Sequence, residues 1–234
     1  MFGRNENNQA IIRGEIASRF VFSHEFYGIR FYEVFVKVRR RSDAVDLLPV
    51  LVSDEQVDVT ADHIGDFITV NGQYRSRNRH DGQKRRLILY VYAKKVGFTG
   101  AELDADKMNH VMLDGFIVQV PVFRRTLLGK EITDIILAVN RSYGHTDYIP
   151  CILWGKDAEE AADWEVGKHV QITGKIQSRI YTKKMTETES EERVAYEVSV
   201  KKWDTREGVK GHEDMDITLE EYIEGEKKRE QRKW

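Results

Sequence analysis

The sequence repeats itself at a spacing of about one hundred residues. Asn8 to Ile16, NQAIIRGEI, lies over Asn109 to Ile117, NHVMLDGFI, at an offset of 101. Gly28 then falls on Gly129. Phe31 to Val52 lies over Ile132 to Leu153, with Asp46-x-x-Pro49 over Asp147-x-x-Pro150. Ile64 to Arg77 follows over Val166 to Arg179 at an offset of 102, and Lys94-Lys95-Val96 falls on Lys201-Lys202-Trp203. Preserved order over that length marks a duplicated domain. It also limits the fold, because each copy must close its own core within about a hundred residues.

Each copy contains short runs rich in Val, Ile, Phe and Tyr, punctuated by Gly, Asn and Asp turns, which is a strand pattern. Gly14, Gly115, Gly72 and Gly174 sit inside such runs and mark bulges or sharp bends. The second copy has one convincing helix, Asp157 to Glu165, with Ala158, Ala161, Ala162 and Trp164 inside it and Gly167 just beyond. Five strands with a helix between the third and fourth is the OB arrangement. The expected fold is therefore all-β: two tandem five-stranded OB-fold barrels, each with a short helix. In the first copy that helix falls in Asp54 to His63 and is expected to be short or irregular, since Val57 and Val59 weaken it. Residues 1–100 form the first domain, 101–107 complete a linker that begins near Gly97, and 108–204 form the second domain. Residues 205–234 are a charged tail, with Thr218 and Glu221 spaced as a capping box.

The stretch Ile132 to Lys156, ITDIILAVNRSYGHTDYIPCILWGK, carries the chemistry. Two apolar runs enclose a polar turn, as in a β-hairpin. Tyr143, Tyr148 and Trp154 stand in or beside that turn and the strand ends, interleaved with basic residues. Aromatics among Arg and Lys suit a single-stranded nucleic acid, where each base offers a π-face and each nucleotide a phosphate. The segment ILAVNRSYGHTDYIPCILWGKDAEEAADW resembles the third-strand region of bacterial single-stranded DNA-binding proteins. Upstream, NHVMLDGFIVQVPVFRRTLLGKEITDIILAV is similar to the first two strands of that family, and VGKHVQITGKIQSRIYTKK is similar to its fourth strand and following loop. The resemblance covers Asn109 to Trp203. It implies base stacking by Trp154, Tyr148, Tyr143 and Tyr181, and non-specific single-stranded DNA binding during replication, recombination or repair. It also implies four barrels working together, hence a homodimer of this two-barrel chain. The tail departs from the resemblance. It ends in KKREQRKW, not in the hydrophobic tip with which that family recruits replication or repair proteins.

Phosphate contacts are expected from Arg124, Arg125, Arg141, Lys156, Arg179, Lys183 and Lys184 in the second copy. In the first they are expected from Arg39, Arg40, Arg41, Arg75, Arg77 and Arg79. The repeat offsets replace Tyr143, Tyr148, Trp154 and Tyr181 by Ser42, Leu47, Ser53 and Arg79, so the first copy is expected mostly to hold phosphates. It retains Phe22, Phe26, Tyr27, Tyr90 and Tyr92, which could still stack on bases, although strand aromatics more often serve a core or an interface. Trp164 and Trp203 are read as core residues.

Other readings are narrowed by composition. Basic and acidic residues number 37 and 39, so any nucleic-acid surface must be local. The only cysteine, Cys151, precludes a disulfide within the chain and reads as a small core residue. No Cys/His metal spacing and no Gly-rich phosphate loop is present, so neither an enzyme nor a cofactor is expected. No run reaches the length of a membrane span and no hydrophobic signal core opens the chain, so a cytoplasmic protein with no membrane partner is expected. The rival reading is an OB-fold adaptor in a primosome-like or mobile-element replication complex, with weak nucleic-acid binding.

Overall fold

The computed structural model describes residues 7–81, 84–100, 108–126, 128–142, 144–184 and 190–205, with backbone only at 80–81, 84–85 and 183–184. Barrel one comprises β1 (Asn8–Ile16), β2 (Val21–Phe26), β3 (Ile29–Arg39), β4 (Val45–Ser53), β5 (Phe67–Asp81) and β6 (Lys84–Thr99). Barrel two comprises β7 (Asn109–Ile117), β8 (Val122–Arg125), β9 (Glu131–Asn140), β10 (Thr146–Trp154), α1 (Lys156–Ala162), β11 (His169–Lys184) and β12 (Ser190–Thr205).

Five strands close each barrel. β1 pairs with both β3 and β5, β5 with β6, β6 in parallel with β4, and β4 with β3. β7, β9, β10, β12 and β11 repeat the circuit. Closure leaves no free edge among these five. It also brings backbones very close: a Cβ on Gly14 would lie 2.2 Å from the Lys37 carbonyl oxygen, and one on Gly115 would lie 2.2 Å from that of Ala138. The ladder slips register at Asn71/Gly72 and again at Thr173/Gly174, so these glycines do mark bulges. β2 and β8 are a short sixth strand in each copy, beyond the five expected, and each forms a hairpin with the strand that follows.

Alternating strand residues fill the interior. Ile12, Val36, Val50 and Val70 pack in barrel one, and Leu113, Leu137, Cys151 and Ile172 in barrel two. Burial pushes the Cys151 thiol pKa far up, consistent with an inert core position. Trp164 is buried and meets Trp203 edge to face at 5.1 Å. Helix α1 buries Ala158 and Ala161 and is tied down where Thr133 Oγ1 donates to the Ala158 carbonyl at 2.6 Å.

Two expectations are corrected. Asp54 to His63 forms turns and no helix. There Asp58 accepts from the Thr60 N–H at 3.0 Å and from its hydroxyl at 2.6 Å, giving the backbone an alternative to helical bonding. Gly97, Phe98 and Thr99 are not linker but the end of β6, paired with Thr69, Ile68 and Phe67. The tail beyond Thr205, with its Thr218/Glu221 capping box, lies outside the described residues.

β1 and β7 pair antiparallel and join the barrels into one twelve-stranded sheet among the described residues. Ala10 faces Val111, its own repeat equivalent, while Asn8 faces Leu113 and Ile12 faces Asn109. The barrels are therefore related by a local two-fold axis. A pair of buried clasps obeys the same axis. In one, Asp147 accepts from Arg141 Nε at 2.6 Å and from the Ser76 N–H of the opposite barrel at 2.6 Å, and Arg141 Nη2 donates to the Ser76 carbonyl at 2.8 Å. In the other, Asp46 accepts from Arg40 Nε at 2.7 Å and from the Ser178 N–H at 2.6 Å, and Arg40 Nη2 donates to the Ser178 carbonyl at 2.8 Å. Asp46 also accepts from the Ser178 hydroxyl at 2.9 Å. With Asp46 1% exposed and Asp147 0%, each carboxylate depends on such donors in place of water.

Candidate nucleic-acid interface

Strand alternation sets the outer face of barrel two. On β10, Ile149, Cys151 and Leu153 point inward, which leaves Tyr148, Pro150, Ile152 and Trp154 on the outer side. Trp154 ends the strand at 37% exposure, and its indole N–H donates to Ser199 Oγ at 3.1 Å on β12. That bond fixes one edge of the ring and satisfies its only polar group. Tyr148 is half-buried, and its backbone N–H donates to Ser76 Oγ of barrel one at 2.9 Å. Tyr181 is 36% exposed on β11, with the Arg179 guanidinium 5.8 Å from its ring centre. Tyr143 lies outside the described residues, as do the side chains of Lys183 and Lys184.

The expected phosphate ligands separate into classes. Lys156 is exposed at the start of α1, two residues from Trp154. Arg125 is exposed but donates to Glu131 at 2.6 Å, and Arg124 donates to Asp134 at 2.5 and 3.1 Å. Arg179 lies 3.8 Å from Glu197. Burial raises the Glu197 pKa, which Arg179, Arg124 and Arg40 partly offset. These arginines are partly neutralised in place, and a phosphate must compete with a carboxylate for them. Arg40 and Arg141 are committed to the clasps. Burial works against the Arg141 charge, but the bonds to Asp147 outweigh it and hold its pKa above the ordinary value.

In barrel one, Arg39, Arg41 and Arg79 are exposed. Arg77 bonds Glu33. Arg75 stacks over Tyr92 with its guanidinium 3.8 Å from the ring centre and donates to Gln73 Oε1. Burial, then the neighbouring Arg141, lowers the Arg75 pKa. A groove of about 630 Å³ separates the two long hairpins and draws Arg77, Arg79 and Arg86 of barrel one to the same space as Tyr181 and Arg193 of barrel two. The structure thus brings part of the expected set together between the barrels and keeps Trp154 and Lys156 apart on barrel two. Sequence reading missed Ser199 and Glu197, which flank Trp154 and Arg179; the β10–β12 parallel pairing that places Ser199 joins strands far apart in the chain.

Among the described residues, no cluster of His, Cys, Asp and Glu is arranged to hold a metal ion, and no helix is long and apolar enough to cross a membrane.

Residues 108–210 match a model of the Single-strand binding protein family. The chain is 35% identical to the single-stranded DNA-binding protein of Clostridium tetani over 108 residues, covering 43% of this chain and 74% of that protein. It is 39% identical to single-stranded DNA-binding protein B of Bacillus subtilis over 80 residues, covering 31% of this chain and 71% of that protein. The crystal structure of the single-stranded DNA-binding protein from Thermus aquaticus superposes with a TM-score of 0.68 at 18% identity, over 85% of this chain and 92% of that one. That similarity extends across both barrels and concerns the fold.

Proposed function

The chain belongs to the single-strand binding protein family, and from that premise we propose that it coats single-stranded DNA with little sequence preference during replication, recombination or repair. Trp154 carries this reading: an exposed indole, with its N–H already satisfied, ends a strand beside Lys156 and on the same outer face as Tyr148. A stacked aromatic contributes roughly 1–3 kcal/mol per base whatever the base, and that tolerance gives binding without sequence readout. Arg79, Arg125, Lys156 and Arg179 supply charge along the path, with Lys183, Lys184 and Tyr143 as further contacts. Two chains associate to provide four barrels, as the resemblance of the second copy implies.

The test is titration with oligo-dT at two salt concentrations, followed by tryptophan fluorescence, with light scattering on the free protein. Binding that quenches fluorescence and weakens with salt is the expected result, together with a dimer mass. No binding at low salt would remove the proposal, and a monomer at micromolar concentration would remove its four-barrel part.

A further inference from the structure

Barrel one lacks an aromatic at the places of Tyr143, Tyr148, Trp154 and Tyr181, yet its outer face is not bare. Ser53 on β4 occupies the place of Trp154 on β10. Across the antiparallel pairing, Ser53 faces Phe31 whereas Trp154 faces Ile132. Across the parallel pairing, Leu51 meets Tyr92 whereas Ile152 meets Ser199. Barrel two sets one large ring beside an isoleucine and a serine. Barrel one sets a small residue, buried at 6% exposure, between two large rings whose centres approach to 6.1 Å. The aromatic surface has been transposed to the adjoining strands.

The series of rings continues outward. A register slip after Phe22 puts His24 opposite Phe31, and the two rings stack at 5.0 Å with planes 11° apart. Alternation then places Phe26 on the same face as His24. Phe26 packs against Tyr27 at 4.4 Å, and they are 62% and 90% exposed. Barrel two has Arg124 opposite Ile132 and Leu128 in its turn, so its hairpin is basic where that of barrel one is aromatic. At the inner end, Arg75 covers Tyr92 at 3.8 Å, and Arg77 lies 5.6 Å from the Tyr90 ring.

We propose that this face is a second base-stacking site for single-stranded DNA, entered at Phe26 and Tyr27 and leading past His24 and Tyr92 to the arginines of β5. It deepens the function proposed above and rests on it. Two observations select a nucleic-acid strand over a protein occupant. The face is the counterpart of the Trp154 face, built on the same strands of the repeat. Its rings lead into guanidinium groups, the pairing of π-face and cation that bases and phosphates require.

The test uses the full chain with Phe26→Ala and Tyr27→Ala together, alone and combined with Trp154→Ala and Tyr148→Ala. Both hairpin residues are exposed, so folding is expected to survive, which circular dichroism checks. With barrel two disabled, the hairpin change should lower the residual affinity for oligo-dT by about ten-fold or more. In the otherwise native chain, Trp154 quenching at saturation should persist. Ultraviolet crosslinking to oligo-dT should label the peptide bearing Tyr27. Unchanged affinity with no label there overturns the inference and leaves the Trp154 site standing. So does a change that alters sedimentation but not DNA affinity, which would assign the face to contact between copies. Failure of the native chain to bind oligo-dT would overturn the parent reading as well.

Discussion

Replacing Arg141 by Ala separates two roles for one residue. Asp147 has no exposure, and its donors are Arg141 and the Ser76 N–H. Removing the guanidinium leaves a buried carboxylate with a single neutral donor, and it also removes the bond to the Ser76 carbonyl across the barrel seam. Breaking a buried pair from one side costs about 3–5 kcal/mol. At about 2–4 °C per kcal/mol for a chain of this size, the melting temperature should fall by about 6–20 °C. Urea unfolding and calorimetry measure this directly. The double change Arg141→Ala with Asp147→Ala should be less damaging than Arg141→Ala alone, because no orphaned charge remains. Arg40→Ala should destabilise in the same direction but less, since Asp46 keeps two neutral donors, the Ser178 N–H and the Ser178 hydroxyl. Below its melting point, the Arg141→Ala protein should keep the native salt dependence of DNA binding. A stability change under about 1 kcal/mol, or a salt slope that falls by roughly 0.7, would show that Arg141 binds phosphate and does not hold the barrels together.

Three further outcomes are expected. Trp154→Ala with Tyr148→Ala should weaken oligo-dT binding at all salt concentrations with little change of slope, whereas Arg79→Ala with Arg125→Ala should flatten log K against log salt by roughly 0.7 per lost contact; equal slopes for the two sets would contradict the division. Gly115→Ala should cost about 3 kcal/mol or more, because its Cβ would lie 2.2 Å from a backbone oxygen that cannot move without opening β9, and urea unfolding reads the cost. Removing residues 206–234 should change the melting temperature by less than about 2 °C, since few apolar residues are lost, and should tighten binding at low salt by removing acidic residues; a large drop would show that the tail packs.

The duplication gives the sequence an internal control, and the structure shows how to use it. Positions alike in both copies turn out to be architectural: Gly14 with Gly115 at the strand crossings, Asn8 with Asn109 bonding the β5 and β11 backbones, and Arg40/Asp46/Ser76 with Arg141/Asp147/Ser178 in the clasps. The strands and the barrel were legible because they follow from local alternation and turns. The clasp arginines were not, because an Arg beside a basic turn looks the same whether it faces solvent or a buried carboxylate on the far side of a seam. Yet the repeated Arg-x5-Asp spacing was visible, and surface arginines such as Arg39 and Arg125 show no such constancy. Trp154 stands out in sequence by its place at the end of an apolar run beside Gly155-Lys156, and it also breaks the repeat, standing where the first copy has Ser53. The transposed rings of barrel one escaped a position-by-position comparison. Phe31, Ser53 and Tyr92 are far apart in sequence and become neighbours only through an antiparallel and a parallel pairing. An aromatic moved from β4 to β3 and β6 is lost in alignment but stays on the same face in space. The copies therefore differ in which strand carries the ring, and Ser53 standing at the place of Trp154 does not by itself argue against stacking on barrel one.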